Sequence, residues 1–399
     1  MIRLTDSIIN PYAPGAGEPP QTLTGRDELS AMANVAIARK KAGRAAQGLI
    51  CIGLRGVGKS VLLEQIRQLG KAHQVNCLHL EAPEHQSLPA MLIPQLRIAL
   101  LELSRNEQAK ALAIRGLKAI AGFVSALSVT FGDIQVGVDF EPEPGLADNG
   151  DLNADLTALI ESAGEAAQAA GSALLILIDE LQYVAEAQLA ALLAALHRAN
   201  QRRLPVILIG AGLLSLREKA GEAKTHAERL FAYRELGPLD RTAATLALCQ
   251  LAAELGVEFA PEAIDYLLEI TGGYPYFIQA WGFQVWEEAQ VSPISLADAK
   301  QATTLALAKL DEGFFRVRMD RLTEREKAYL FAMARLGDGI HTTGEINTQL
   351  GTTPSASSSI RNQLIEKGMI WSPQYGKLAF IVPMFADFIQ RNYPCSTSK

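Results

Sequence analysis

The residues best suited to chemistry form a glycine-rich stretch, GLRGVGKS, at residues 53–60. It fits, with no mismatch, the pattern of a glycine, four residues of any type, Gly-Lys and then Ser or Thr. In such a loop successive backbone N–H groups turn inward on phosphate oxygens, Lys59 reaches the β- and γ-phosphates, and Ser60 ligates Mg²⁺. The residues expected to bind the nucleotide here are Gly53, Arg55, Gly56, Val57, Gly58, Lys59, Ser60 and Val61.

A second chemical signal is the apolar run ALLILIDELQ, in which a strand-like stretch ends in Asp179 and Glu180. A carboxylate at the C-terminal end of a buried strand lies beside the phosphate loop, so Asp179 is expected to hold Mg²⁺. Glu180 would face the γ-phosphate and deprotonate the attacking water. An acidic pair that only caps a strand is the alternative. After an intact phosphate loop, the pair favours ATP hydrolysis over binding alone.

A third apolar run, LPVILIGAG at residues 204–212, is typical of a neighbouring buried strand. Many P-loop ATPases have a polar residue at the tip of this strand, in contact with the γ-phosphate or the attacking water. Here the tip reads Gly-Ala-Gly, and the nearest hydroxyl belongs to Ser215. Gln182, two residues after Glu180, is a candidate substitute for the missing polar residue.

The elements that must position these residues follow from the hydrophobic pattern. GLICIGL before the loop has the length of a buried strand, SVLLEQIRQLGKAH after it has helical periodicity, and VNCLHLEAP is typical of the next strand. Strand, loop, helix and strand in this order predict a parallel sheet with helices on its faces. The first twenty residues are rich in proline and glycine, which predicts an extended arm.

Composition limits the classes of protein to be considered. The chain has 399 residues, 49% of them hydrophobic and 20% charged, which predicts two or three units with a large core. The net charge of −6 argues against a chain-wide surface for polyanions. The four cysteines never take a CxxC spacing, which favours buried thiols over a metal site. Since the sequence shows neither a signal peptide nor a bilayer-length apolar stretch, we expect a cytoplasmic protein without membrane contact.

Five short motifs in a specific order extend this interpretation: TGRDEL, GLRGVGKS, LILIDELQ, HAERLF and TGGYPYFIQ. With them the chain, from about Pro11 to Tyr393, resembles the AAA+ and STAND-related ATPases of the origin-recognition type found in bacteria and archaea. The resemblance implies an α/β fold of the P-loop NTPase class (ASCE, AAA+-like), with helices on both faces of a five-stranded parallel sheet. It also implies a helical lid and a C-terminal winged helix after that sheet.

The same resemblance implies further residues at the nucleotide. Gly25 and Arg26 of TGRDEL, with Pro11 and Tyr12 upstream, match positions that border the adenine. Arg229 of HAERLF matches an arginine directed at the nucleotide phosphates, either in the same chain or from a neighbouring subunit. A planar guanidinium suits this task because it offers parallel donors to developing phosphate charge. A helix-surface arginine is the alternative for Arg229.

The lid motif departs from ordinary AAA+ proteins. Those proteins usually have an arginine at this point, and this sequence has none between Arg241 and Arg316. It has Gly-Gly-Tyr-Pro instead, which is similar to the glycine-x-proline element of STAND switches, whose proline packs on the base. The resemblance therefore implies that Pro275 contacts the base and that ATP serves as a switch. A simple turn before a helix is the alternative.

The predicted organisation has three parts: an ATPase core over residues 1–236, a lid over 237–312 and a winged helix over 313–399. The core contains an insertion near residues 106–153. Alternation of apolar and polar residues around a Gly-Asp turn predicts a β-hairpin in this insertion. A partner-contacting arm and a flexible insertion are both consistent with it.

The C-terminal part shows three amphipathic helices and then two short strands around Tyr375–Lys377, the order of a winged helix-turn-helix. Between residues 313 and 393 there are ten Lys and Arg against seven Asp and Glu, so this part is locally basic. The residues predicted to contact DNA are Ser357, Ser358, Arg361, Asn362 and Lys377.

The sequence thus predicts a Mg²⁺-dependent ATPase whose nucleotide state sets the orientation of the lid and the winged helix. Its expected partners are ATP or ADP, duplex DNA, and a protein partner or further copies of itself. The first hypothesis is a loader, remodeller or regulator on DNA. The alternative is a STAND-type protein-interaction switch with slow hydrolysis and no DNA binding, because winged helices also serve as packing modules.

Overall fold

The computed structural model describes residues 7–15, 24–83, 86–127, 130–131, 140–216 and 227–393. The turn of the predicted hairpin, parts of the predicted N-terminal arm and the first residue of the HAERLF motif lie outside the described residues. The chain divides into two compact units. The sheet unit comprises residues 25–53 and 58–236, and the helical unit comprises residues 1–24, 54–57 and 237–399.

The sheet unit is built on five parallel strands in the order β2-β3-β4-β1-β5. The strands are β1 (Gly48–Gly53), β2 (Asn76–Glu81), β3 (Leu174–Asp179), β4 (Val206–Gly212) and β5 (Phe231–Leu236). Every residue of β1, β3 and β4 is buried, which explains why these strands are continuous apolar runs. The predicted parallel sheet is confirmed.

Among the described residues, seven helices of the sheet unit precede or connect these strands. They are α1 (Asp27–Lys41), α2 (Lys59–Ala72), α3 (Leu88–Leu103), α4 (Lys110–Leu127), α5 (Leu152–Ala169), α6 (Glu186–Gln201) and α7 (Ala227–Leu230). Helix α4 lies in the predicted insertion, yet Ala113, Ile120 and Phe123 on it are buried in the core of the unit. The described first half of the insertion is therefore part of the core.

The helical unit has a 3₁₀ turn at Ser7–Ile9, and its other helices and strands follow β5. Its helices are α8 (Arg241–Glu254), α9 (Pro261–Thr271), α10 (Pro275–Glu288), α11 (Leu296–Leu310), α12 (Arg316–Asp320), α13 (Glu324–Ala334), α14 (Thr343–Leu350), α15 (Pro354–Glu366) and α16 (Phe385–Asn392). A small antiparallel sheet in the order β6-β8-β7 joins them. Its strands are β6 (His341–Thr342), β7 (Ile370–Gln374) and β8 (Lys377–Phe380).

One hydrophobic core runs through the helical unit and includes Leu239, Trp281, Phe315 and Phe388. This core crosses the predicted boundary between residues 312 and 313, where a π turn at Asp311–Phe315 connects α11 to α12. Apolar contacts of the lid region and of the C-terminal region thus belong to the same unit. Within the described ranges, no helix combines the length and the apolar character that a bilayer crossing requires.

Candidate functional site

The glycine loop connects the end of β1 to the start of α2. Gly56 and Gly58 have φ angles of +81° and +86°, in the left-handed region that favours glycine. Gly58 is also the residue that precedes the first turn of α2. A turn of this kind directs backbone N–H groups into one concavity, and the adjacent helix start adds its positive end. The local backbone therefore suits an anion such as phosphate.

Lys59 is held inside this loop. Its side chain is only 6% exposed, and its Nζ donates a hydrogen bond to the carbonyl of Gly53 at 3.1 Å. Burial raises the pKa of the nearby Cys51 thiol to about 12, while the positive charges of Arg26 and Lys59 act against this rise. Both cations therefore lie within electrostatic reach of the middle of β1. Arg26 follows Gly25, whose φ is +69°, and directly precedes α1.

Asp179 and Ser60 are brought together although they lie far apart in the sequence. Asp179, the last residue of β3, is 6% exposed, and the Ser60 hydroxyl donates a hydrogen bond to its carboxylate. The N–H of Glu180 donates to Asp179 Oδ1 at 2.8 Å. Burial raises the pKa of Asp179, and the hydrogen bonds from Ser60 and Glu180 and the charge of Lys59 counteract that rise.

This pair fits Mg²⁺. Both ligating atoms are oxygens, which Mg²⁺ prefers, and the metal commonly takes one carboxylate together with phosphate oxygens and waters. The described residues hold no cluster of three or more His, Cys, Asp or Glu side chains suited to a metal. An all-protein metal cage is therefore not offered there, whereas Ser60 and Asp179 beside an anion-binding loop suit a metal that arrives with phosphate.

Glu180 adopts a left-handed backbone conformation, with φ 51° and ψ 38°, directly after β3. Such a conformation is uncommon for a residue other than glycine and occurs often at functional sites. The amide of Gln182 donates a hydrogen bond to Glu180 Oε2. Gln182 Oε1 in turn accepts one from the N–H of Leu213 at 3.0 Å. Gln182 thus links Glu180 to the residue after β4, the strand that lacks a polar tip.

Gly212 explains why that strand tip is small. A Cβ at Gly212 would lie 2.7 Å from Gln182 Oε1 and 2.9 Å from a methyl carbon of Leu216. The glycine therefore leaves space for the Gln182 side chain. The sequence marked Gln182 as a candidate, but the dependence of its position on Gly212 is visible only in the structure.

Tyr12 and Pro11 are buried in the helical unit. The Tyr12 ring is 2% exposed and packs edge-on against Trp286, with ring centroids 6.5 Å apart. Its hydroxyl donates a hydrogen bond to the carbonyl of Leu248, and burial raises its pKa. A Cβ at Gly282 would lie 2.5 Å from the ring. The Tyr12 ring thus forms part of the core of this unit, and the expectation that Pro11 and Tyr12 border the adenine stays a prediction.

The lid motif begins α10 of the helical unit. Gly272 ends α9 in a left-handed conformation, Gly273 has φ +72°, and Pro275 occupies the first turn of α10. A Cβ at Gly273 would lie 2.6 Å from the carbonyl oxygen of Leu239, so no larger residue fits there without a backbone shift. The half-buried Pro275 has the geometry of a helix start.

Tyr276, which sequence reasoning did not select, contacts the tip of the glycine loop. The tip, residues 54–57, groups with the helical unit. The Tyr276 N–H donates a hydrogen bond to the Gly56 carbonyl at 3.1 Å. Its ring stacks on Phe314 at 4.9 Å, and the guanidinium of Arg318 lies 3.9 Å from the Phe314 ring centroid. Helical periodicity gave no signal for this contact, because it joins residues more than two hundred positions apart.

Arg229 lies at the N-terminal ends of the strands, whereas the glycine loop lies at their C-terminal ends. It precedes β5, and β5 pairs in parallel with β1 so that Phe231 aligns with Gly48 and Leu236 with Gly53. At about 3.3 Å per residue, the five steps from Gly48 to Gly53 along β1 span roughly 17 Å. The register thus separates Arg229 from the glycine loop of its own chain, and its role at a nucleotide stays a prediction beside the alternative of a helix-surface arginine.

The predicted DNA-contacting residues of α15 differ in accessibility. Ser357 is 3% exposed, and its hydroxyl donates to Asn347 Oδ1 at 2.6 Å, so its prediction as a DNA contact is corrected: it ties α15 to α14. Ser358 donates to the Ser355 carbonyl at 2.9 Å. Arg361 is half-buried and its charge acts on the buried Tyr329, whereas Asn362 is exposed.

The turn between β7 and β8 is open to solvent. Tyr375 is fully exposed, Gly376 has φ +74°, and Lys377 is exposed at the start of β8. The turn therefore presents one aromatic and one positive side chain to solvent.

Comparison with known proteins identifies the architecture. Residues 22–209 match the family model of the AAA ATPase domain, a range that includes the glycine loop, Asp179 and Glu180. A Walker-type ATPase of Pyrococcus abyssi matches with a TM-score of 0.58 and 15% identity over 93% of this chain and 97% of that chain. The fold is that of a P-loop AAA+ ATPase. The AAA+ fold predicted from sequence is thereby confirmed.

Other solved structures show weaker similarity to this AAA+ fold. The Orc1 protein of Aeropyrum pernix, solved in complex with DNA, matches with a TM-score of 0.48 and 16% identity, covering 94% of each chain. Cdc6p from Pyrobaculum aerophilum matches with a TM-score of 0.46 and 14% identity over 97% of this chain and 96% of that chain. Residues 312–389 match a domain of unknown function. No curated protein matches the sequence.

Proposed function

We propose that this protein binds ATP with Mg²⁺ at residues 53–61 and hydrolyses it to ADP and phosphate. The observation that carries the proposal is the hydrogen bond between the Ser60 hydroxyl and the buried Asp179 carboxylate, with Lys59 beside it and Glu180 next in sequence. One loop and one strand end thus combine an anion-binding turn, two oxygen ligands and the Glu180 carboxylate, which the Gln182 amide holds. That is the set of groups that phosphoryl transfer to water requires.

Each residue has a distinct task in this proposal. Loop N–H groups and Lys59 bind the phosphates, and Ser60 and Asp179 hold the metal, which when bound neutralises charge on the phosphates. Glu180 accepts the proton of the attacking water. The Gln182 amide holds the Glu180 carboxylate in a defined position, supported by the hydrogen bond to Leu213. Gly25 and Arg26 are proposed to border the adenine.

We further propose that Arg229 acts on the nucleotide of a second copy. The register of β1 and β5 places Arg229 away from the glycine loop of its own chain. An arginine that meets the phosphates of another copy would make hydrolysis depend on assembly, because its charge stabilises the transition state only there. Homo-oligomer formation is therefore part of the proposal.

The nucleotide state is proposed to control the orientation of the lid and of the C-terminal region, which we interpret as a winged helix. Two features support this coupling: Pro275 starts α10, and the next residue, Tyr276, is hydrogen-bonded to Gly56. A ligand can shift a conformation only through contacts that differ between the states. The loop tip and the start of α10 are residues where such contacts would differ between ATP and ADP.

Duplex DNA is the proposed substrate of the C-terminal region. Asn362 and Lys377 are exposed, Arg361 and Ser358 are partly exposed, and Tyr375 is fully exposed at the β7–β8 turn. Positive and small polar residues on a helix and an adjacent turn suit contacts to bases and phosphates. The local excess of positive charge supports attraction to the phosphate backbone. ATP hydrolysis would then serve loading, remodelling or regulation on DNA.

The alternative function, a protein-interaction switch without DNA binding, is favoured by a different observation. Ser357 is buried against Asn347, and Arg361 is half-buried near Tyr329, so part of α15 packs within its own unit. A helix used for packing has fewer side chains available for bases. The Gly-Gly-Tyr-Pro start of α10 supports the same alternative through its similarity to switch ATPases.

The ATPase proposal is tested with two variants and one control. Glu180→Gln should bind a fluorescent ATP analogue as the wild type does, and its rate of phosphate release should fall about a hundredfold or more, the usual range for a lost general base. Lys59→Ala should lose analogue binding. Glu186→Gln, an exposed change in the first turn of α6, should leave both measurements unchanged. A Glu180→Gln protein that releases phosphate at the wild-type rate would refute the general-base assignment.

A further inference from the structure

The sheet unit contains a cavity of about 630 Å³ at the edge where the strands begin. Its walls come from the end of α1, the segment before β1, the end of α6 with the turn before β4, and the turn before β5. The glycine loop follows the other end of β1. The cavity is therefore separate from the proposed ATP site of the same chain.

Five positive side chains line this cavity: Arg39, Lys40, Arg44, Arg203 and Arg229. The remaining lining residues are neutral, and in the described part of the chain none of the five cations forms an ion pair. Convergent cations without a counter-charge repel one another, and screening by water is weakest at the buried Lys40. An anion of matching charge would remove that repulsion.

Lys40 is the most telling member of this set. It is 5% exposed, and its Nζ donates a hydrogen bond to the neutral Oδ1 of Asn200. Buried ammonium groups are normally paired with a carboxylate or another anion, because burial disfavours the charged form. Burial indeed lowers the pKa of Lys40 to about 8. Lys40 therefore places a positive charge at the wall of the cavity with only a neutral partner.

We propose that this cavity binds a small anion that carries a chain of two or more phosphates. Four guanidinium groups favour phosphate, because each planar fork can donate two parallel hydrogen bonds to its oxygens. The volume is in the usual range of small-molecule sites and exceeds what one inorganic phosphate fills. A DNA backbone presents its phosphates in a row along a groove, whereas these five cations converge on one concavity.

A second groove adjoins the cavity. It allows two sources of the phosphate chain to be distinguished, a nucleoside polyphosphate and inorganic polyphosphate. Besides Arg39, its α1 lining consists of the carboxylate Glu28 and four apolar residues, Ala31, Met32, Val35 and Ala36. It shares Arg39, Ala45, Ala46 and Gln47 with the cavity. The base of a nucleoside polyphosphate would have apolar surface there, whereas inorganic polyphosphate would leave it unused. A comparison of ATP with inorganic tripolyphosphate therefore identifies the source.

The test uses full-length protein carrying Lys59→Ala, which removes the proposed ATP site. Isothermal titration calorimetry with tripolyphosphate should show one site per chain. Adding Arg44→Ala and Arg203→Gln, both exposed residues, should weaken binding at least about tenfold, since hydrogen bonds to charged groups contribute on that scale. Adding Arg105→Ala, an exposed arginine outside the cavity, should change nothing. Arg44→Ala alone should give an intermediate loss and serves if the double change unfolds the protein.

Four results would overturn the proposal. The first is absence of tripolyphosphate and ATP binding in the Lys59→Ala protein, and the second is equal affinity with and without Arg44 and Arg203. The third is duplex DNA that displaces tripolyphosphate through the same arginines, which would identify a nucleic-acid surface. If Arg44 and Arg203 matter only for ATP-induced self-association of protein with intact Lys59, the cavity serves the nucleotide of a second copy and no separate ligand exists. Failure of the ATPase proposal would appear instead in the Glu180→Gln assay.

Discussion

At the scale of single residues, Gln182 is central to the chemistry proposed here. It lies between the Glu180 carboxylate and the N–H of Leu213, and Gly212 leaves room for it. A general base is effective only when its carboxylate is positioned toward the water it deprotonates. The residue that fixes Glu180 should therefore influence turnover more than nucleotide binding.

Gln182→Ala should lower the rate of phosphate release by about tenfold, a loss that matches one charged hydrogen bond. The affinity for a fluorescent ATP analogue should stay within twofold. Gln201→Ala, an exposed change at the end of α6, is the matched control. Gly212→Ala should have a similar effect, because its methyl group would displace Gln182. Since both changes act through one contact, the double variant should be no slower than either single variant; additive losses would contradict the shared mechanism.

Lys40 predicts a pH dependence of stability. Its pKa is about 8 in the folded protein and near 10.4 in an unfolded chain. Between these values the unfolded chain binds more protons, so the free energy of unfolding should rise with pH from about 8 to about 10.4, by at most about 3 kcal/mol. Below pH 8 the cost of the buried cation is fully present. Urea denaturation of the wild type should show this rise, and Lys40→Met should lack it; parallel profiles would refute the assignment.

At the scale of elements, the parallel sheet brings the reacting groups together. The order β3-β4-β1 places the C-terminal ends of three strands at one edge, where β1 leads into the loop, β3 ends in Asp179 and β4 ends beside Gln182. Loops at the carboxyl ends of parallel strands are the usual position of binding sites. The cationic cavity lies at the other end of these strands, where they begin.

The turn between α9 and α10 predicts a stability effect within the helical unit. Gly273→Ala should lower the free energy of unfolding by about 1–3 kcal/mol, because a side chain at φ +72° is strained and would clash with the Leu239 carbonyl. Gly313→Ala, where a Cβ would meet nothing within 4 Å, should change stability by less than about 0.5 kcal/mol. Thermal and urea denaturation measure both. Equal stability of the two variants would contradict the close packing at Gly273.

At the scale of the whole molecule, the two function hypotheses differ in DNA binding. Fluorescence anisotropy with a labelled duplex, measured with ATP, with ADP and without nucleotide, should show binding that depends on nucleotide. Arg361→Ala with Lys377→Ala should weaken it and reduce the slope of log affinity against log salt by about two, since each removed phosphate contact lowers that slope by nearly one. Lys300→Ala, an exposed change on α11, is the control.

The two outcomes of this titration support different functions for the protein. Absence of binding at low salt, or binding that is unchanged in the double variant, would remove the DNA proposal and leave the protein-interaction switch. Tight, nucleotide-dependent binding would remove the alternative. The ATPase assays are independent of this decision, because Lys59, Asp179 and Glu180 lie in the sheet unit and the tested cations in the helical unit.

The amino-acid sequence alone determined the glycine loop, the acidic pair after β3 and the strands that hold them. These features are local: a contiguous pattern sets the backbone of the loop, and buried parallel strands require continuous apolar runs. The helix order of the C-terminal region followed for the same reason. The positions of Asp179 and Glu180 at the end of one strand were also predictable, because they follow from the length of one apolar run.

Only the tertiary structure decided which polar residues are available and which are buried. Tyr12 and Ser357 looked like binding residues, yet each is enclosed by contacts with segments distant in sequence, Trp286 and Asn347 among them. The bridge from Gln182 to Leu213, the distance of Arg229 from its own loop and the convergence of five cations also depend on such pairings. Residue type and spacing contain no information about long-range contacts of this kind, because chain topology alone brings those side chains together.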